Sequence, residues 1–139
     1  MLKSAIRNFN ITARHFKVYF HFCCVGCDPI DENEVVAVIG GGVSGLAAAK
    51  AFDERGHRVV GFERSHDFGG VWELSRSYPD VQTQSPKDLY CFTDHPMPDE
   101  YPEWPKGPQV HAYLHSYADK HNLARLFKLN TNIKSMDRR

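Results

Sequence analysis

One six-residue run, Gly40-Gly41-Gly42-Val43-Ser44-Gly45, constrains this chain more than any other feature, because of what flanks it. Before it stands Val35-Val36-Ala37-Val38-Ile39, an apolar run without polar alternation, which predicts a short strand buried on both faces. After it, residues 43–55 carry Leu46, Ala47, Ala49, Lys50 and Ala51, good helix formers, and Gly56 is placed to end the helix in a left-handed conformation. Val59-Val60-Gly61-Phe62 then predicts a second strand, which delivers Glu63 eighteen residues beyond Gly45. A glycine-rich turn alone would be punctuation between ordinary elements. Strand, turn, helix, strand and acid in this order predict the βαβ start of a dinucleotide-binding fold.

Each part has a physical task. Gly40 permits the sharp turn, Gly42 lets the backbone approach a pyrophosphate, and Gly45 lets the helix lie close to the strand. Val43 and Ser44 open the helix, whose unpaired N–H groups and positive dipole end favour two phosphates. The Glu63 carboxylate can accept both hydroxyl hydrogens of an adenosine ribose. It would repel a 2′-phosphate, so FAD or NAD suits the site better than NADP, although Arg64 beside it pulls the other way.

Further along, the chain resembles the flavin-containing monooxygenases and their flavin-dependent relatives. The resemblance rests on Phe62-Glu63-Arg64, on Phe68-Gly69-Gly70-Val71-Trp72, on Ser77-Tyr78-Pro79 and on the run from Gln82-Thr83-Gln84-Ser85-Pro86 to Phe92-Thr93-Asp94. It continues through Pro96-Met97-Pro98, Tyr101-Pro102 and the segment with Tyr113-Leu114 and Tyr117-Ala118, and so covers about residues 34–136. The resemblance implies an α/β fold, a partial Rossmann-like FAD-binding domain made of the βαβ start, a Pro-rich aromatic crossing, a helix and a further strand. It implies FAD held by this chain, with Gly70, Val71 and Trp72 joining Gly40, Gly42, Val43, Ser44, Gly45, Glu63 and Arg64 around it. It also implies NADPH bound by a second glycine motif in a missing C-terminal part. The substrates would be dioxygen and a small-molecule nucleophile, oxygenated at nitrogen or sulfur. Thr83-Gln84 falls where many members have Thr-Asn, so Gln84 is the candidate catalytic polar group, one methylene longer than the usual amide; a plain loop residue is the other reading.

The chain stops at Met136-Asp137-Arg138-Arg139, before the family's identifying Phe-x-Gly-x-x-x-His stretch and second nucleotide loop. The expectation is therefore a fragment, a truncated gene model or a degenerate copy, with no turnover by these residues alone. The alternative function is a non-catalytic FAD-binding fragment or pseudoenzyme. An NAD-binding oxidoreductase is a third reading, against which Gly69-Gly70-Val71-Trp72 argues; a disulfide-type flavin reductase would need a redox cysteine pair after Glu63, where Cys91 stands alone.

At 139 residues and 42% apolar content, one core is the natural expectation. Residues 1–33 read as a basic N-terminal extension, disordered or transit-like, and residues 34–139 as the truncated FAD-binding domain. Residues 1–27 hold Lys3, Arg7, Arg14 and Lys17 and no acid, which leaves the remainder with thirteen bases against seventeen acids. Translated upstream sequence explains such a leader as well as an organelle transit peptide does. The overall charge of zero gives no support for a nucleic-acid surface, and no apolar run is long enough for a transmembrane segment. Cys23, Cys24 and Cys27 with His21 make an incomplete ligand set, and four cysteines imply no disulfide framework, so a reducing compartment fits, the cytoplasm first.

Residues 78–108 hold seven of the eight prolines with Tyr78, Tyr90, Phe92, Tyr101 and Trp104, an extended turn-rich crossing. Pro108 then suits a helix's first turn, and Val110, Tyr113, Leu114 and Tyr117 recur at helical spacing. Asn122 is a candidate stop, and residues 127–135 read as a further strand. His111 and His115 share one helical face without a visible third ligand, so the expected metal content is none.

Overall fold

The computed structural model describes residues 7–12, 16–18 and 35–137. Its regular elements are β1 (Arg7–Thr12), β2 (Phe16–Val18), β3 (Val35–Ile39), α1 (Val43–Glu54), β4 (Arg58–Phe62), α2 (Gly107–Lys120), β5 (Phe127–Lys128) and β6 (Thr131–Asp137). Strands β2, β3, β4 and β5 form a parallel sheet in that order, with β3 and β4 paired from Val35 opposite Arg58 to Ile39 opposite Phe62. Parallel neighbours need a crossover, and α1 supplies it. The helix closes as its sequence predicts: Gly56 is left-handed (φ 81°), its N–H reaches the Asp53 carbonyl, and the His57 N–H reaches that of Phe52. This is a Schellman closure, with the Phe52 and His57 rings in edge contact.

Side chains alternate across the sheet. Val36, Val38 and Val59 face Leu46 and Ala49 of α1, while Ala37 and Phe62 face the other way with Val60 and Ile133 packed on them. Helix α2 joins the first layer through Val110, Tyr113, Leu114, Tyr117 and Ala118, the apolar face expected from its spacing. Asn122 just beyond it is left-handed (φ 51°).

The Pro-rich crossing lies against α2 without a ladder of its own. Isolated bridges join Gln82 to Lys106 and Phe92 to His95, and the Lys87 ammonium donates to the carbonyls of Pro98, Asp99 and Tyr101 at 3.2, 2.9 and 3.1 Å. Phe92 stacks on Tyr117 at 3.7 Å between ring centroids. The Tyr113 hydroxyl accepts from the Phe92 N–H and donates to the His95 carbonyl, and burial pushes this phenol up to about 12.

Two segments depart from the sequence reading. The single strand expected over residues 127–135 is two strands, broken at Asn130, whose left-handed backbone (φ 54°) turns its N–H toward the Ser65 carbonyl. Beyond the break, β6 leaves the main sheet and pairs in parallel with β1, from Arg7 opposite Thr131 to Thr12 opposite Asp137. The reading also assigned no strands to residues 1–33, where the structure has β1 and β2. Arg7–Thr12 does alternate, with Phe9 and Ile11 between polar residues, a strand signal that the basic, acid-free character of the leader outweighed in the sequence reading.

Candidate functional site

The site is built where β3 ends. Gly40 takes a positive φ of 99° and its N–H is donated to the Phe62 carbonyl, so the chain turns sharply out of the sheet and into α1. Gly45 then passes so close to this turn that a β-carbon on it would lie 1.8 Å from the Gly40 carbonyl oxygen. No side chain fits there. Gly42 is the N-cap of α1; it offers no side-chain acceptor, and no acid stands in the first turn. The N–H groups at the helix start therefore present a positive end with no acid in the helix's own first turn, the arrangement an anion completes.

A second loop closes over the first. Gly69 and Gly70 take φ values of 125° and 60°, the Gly69 N–H is donated to the Gly41 carbonyl, and a β-carbon on Gly70 would sit 3.1 Å from the Gly42 α-carbon. Two glycine loops, 28 residues apart in sequence, thus meet backbone to backbone. Glu63 is 4% exposed behind them; its carboxylate accepts the N–H of Gly41 and, at 2.7 Å, that of Ser65. A carboxylate has about four lone-pair sites, so accepting capacity remains. The backbone of Glu63 is braced as well, its N–H donated to the Lys128 carbonyl and its own carbonyl accepting from Thr131.

The remaining residues named from sequence divide. Val43 half-faces solvent and lines an apolar cavity of about 220 Å³ with Tyr90, Cys91, Phe92 and Leu114. Ser44 and Arg64 are exposed, and Val71 is exposed beside Gly70. Trp72 is sealed in the core, its indole N–H donated to the Tyr90 hydroxyl at 2.8 Å, so it packs the second loop from behind. Gln84 is exposed and lines a different, open concavity of about 610 Å³ with Tyr78, Asp80, Gln82, Thr83 and Trp104. None of the glycine-loop residues lines that concavity. Its neighbour Thr83 is 2% exposed with a hydroxyl that has no hydrogen-bond partner, a feature no spacing rule could have found. Asp67 and Phe68 were also missed: Asp67 accepts the Phe68 N–H, and Phe68 packs where a Gly41 β-carbon would reach. Cys23, Cys24, Cys27 and His21 lie outside the described residues.

The profile of the flavin-binding monooxygenase-like family matches residues 33–139. The chain belongs to that family. Flavin-containing monooxygenase 5 from Homo sapiens is 37% identical over 109 residues, 73% of this chain and 20% of its own length. The chain thus spans about a fifth of the length of this curated relative. Among solved structures, an oxidised steroid monooxygenase bound to NADP superposes with a TM-score of 0.61 at 30% identity, over 69% of this chain and 19% of that one. OTEMO in complex with FAD and NADP gives 0.61 at 26% identity, again over 69% and 19%. The family's Rossmann-like α/β architecture is the one described above, with glycine loop, α1 and Glu63 in the expected order. Among the described residues, no helix of this family member is long and apolar enough to cross a membrane.

Proposed function

We propose that residues 34–139 hold FAD for a monooxygenase that uses NADPH and dioxygen to oxygenate nucleophilic nitrogen or sulfur atoms of small molecules. The observation that carries this reading is the meeting of the two glycine loops at the start of α1, with a fixed carboxylate behind them. A β-carbon at Gly45 would collide with the Gly40 carbonyl and one at Gly70 would crowd Gly42, so glycines at these points keep the two loops tight against each other. In this reading the first-turn N–H groups of Val43, Ser44 and Gly45 hold the pyrophosphate, Glu63 holds the adenosine ribose, and Gly70 with Val71 covers the cofactor. Bound FAD supplies the redox chemistry that no side chain can. The protein's tasks are to bind, orient and exclude water.

Oxygenation needs enclosing walls, and the concavity at Gln84 is open. We therefore expect these 139 residues to bind FAD without turning over. Titration of the chain with FAD, NAD and NADP, followed by flavin fluorescence and calorimetry, tests the first half. FAD should bind most tightly, and a Gly45→Val variant should lose it. Tighter binding of NADP than FAD would overturn the reading. Oxygenation is tested in a protein that joins this segment to a nicotinamide site: NADPH consumption should yield an N-oxide or sulfoxide from a tertiary amine or thioether, and its failure would leave only the non-catalytic alternative.

A further inference from the structure

We propose that Asp67, His111 and His115 form a binding site for one divalent transition-metal ion of the zinc class. Helix α2 places the two histidines one turn apart on the same face, and the loop before Gly69 and Gly70 brings the carboxylate to them. His111 Nε2 lies 3.2 Å from Asp67 Oδ2, and His115 Nε2 lies 2.9 Å from Oδ1. All three ligand atoms fall within 4.8 Å of one another. A tetrahedral ion with bonds of about 2.0–2.1 Å holds neighbouring ligand atoms roughly 3.3 Å apart, which each nitrogen already approaches at its own carboxylate oxygen.

The alternative is an ordinary Asp–His–His hydrogen-bonded cluster, and the ring nitrogens argue against it. Both are buried, and despite their proximity to the carboxylate neither makes an aligned hydrogen bond. His121 Nε2 nears Asp94 in the same unaligned way; what sets Asp67 apart among the described residues is that two such nitrogens meet it, which completes a three-ligand group. The cluster is also held in shape from outside. The Phe68 N–H donates to Asp67 Oδ1 at 2.8 Å, the Phe68 ring makes edge contact with His115, and Gly69 leaves room for the His111 ring, which a β-carbon there would meet at 2.9 Å. Such outer contacts orient metal ligands.

Two imidazoles and one carboxylate favour zinc, cobalt or nickel over magnesium or calcium. Asp67 and His115 keep about a third of their side-chain surface exposed, 28% and 35%, so water can take the fourth position. The ion would tie α2 to the second glycine loop and hold that loop against Gly42. From sequence the two histidines had no third ligand; Asp67 lies 44 residues before His111 and only the fold brings it in.

Cobalt(II) titration of the full chain, with Cys23, Cys24, Cys27 and Cys91 changed to serine to remove thiolates, tests the site. The expected result is one cobalt per chain with the visible absorption of a four-coordinate ion, displaced by zinc. Affinity should fall more than about 100-fold in Asp67→Asn and His115→Gln, and stay unchanged in His57→Gln. As a check on folding, parent and His115→Gln should unfold at the same temperature in chelator, and only the parent should gain stability from zinc. If that variant is already destabilised in chelator, His111→Gln takes its place. No uptake by the parent, or equal uptake by the variants, would overturn the proposal.

Discussion

Glu63 shows how one side chain serves the fold before it serves a ligand. Its buried carboxylate accepts two backbone N–H groups, from Gly41 and Ser65, and so fixes the glycine loop to the end of β4. In Glu63→Gln the amide can offer only one oxygen, and one buried donor is left facing an NH₂ group. Denaturant unfolding should show a loss of about 1–3 kcal/mol, and FAD affinity should fall with it. That an acid belongs at this position was legible from its spacing after Gly45; that it would be wired to Gly41 was not, because a side chain's partners depend on how the turn is folded. Trp72 illustrates the same limit. Its place after Gly69-Gly70 implies a part in the cofactor loop; that its buried indole N–H finds its acceptor in Tyr90, eighteen residues on, depends on the fold.

Among elements, β3, α1, β4 and α2 could be read in advance because each announces itself through a local period, an apolar run or a glycine stop. The join of β4 to β5 could not. Gly61 pairs with Phe127, and a β-carbon on it would come within 2.4–2.6 Å of three atoms of that ring. Sequence offers Gly61 only as a weak residue in a strand; the structure makes it the space that a core phenylalanine occupies. Gly61→Ala should therefore cost about 1–3 kcal/mol through overpacking, measured by thermal unfolding. Adding Phe127→Leu should recover part of the loss, whereas a purely conformational effect of the alanine would persist.

At the scale of the whole molecule, the crossing is tied to both helices by Asp94. Its carboxylate lies 3.0 Å from Lys50 of α1 and 3.2 Å from His121 at the end of α2, and Lys120 donates to its carbonyl. The Lys50 ammonium holds the Asp94 carboxyl below its ordinary value of 3.8, against the opposing effect of burial. Next to it, burial first and then Lys120 and His121 hold His95 below 6.5. Both groups bind protons less readily folded than unfolded, so their contributions are present at neutral pH and lost as pH falls. The thermal midpoint should decline first as pH passes below 6.5 and again in the carboxylate range, where Glu73 is held below its ordinary 4.5 as well; His95→Gln should remove the first decline and Asp94→Asn should shrink the second. The turn between β5 and β6 has a different reach. Because Lys128 and Thr131 grip the backbone of Glu63 from either side of it, the length of that turn sets the position of the acid. A single-residue insertion or deletion there would act as a remote mutation of the cofactor site, altering what is bound at one end of the sheet through a change made in a surface turn.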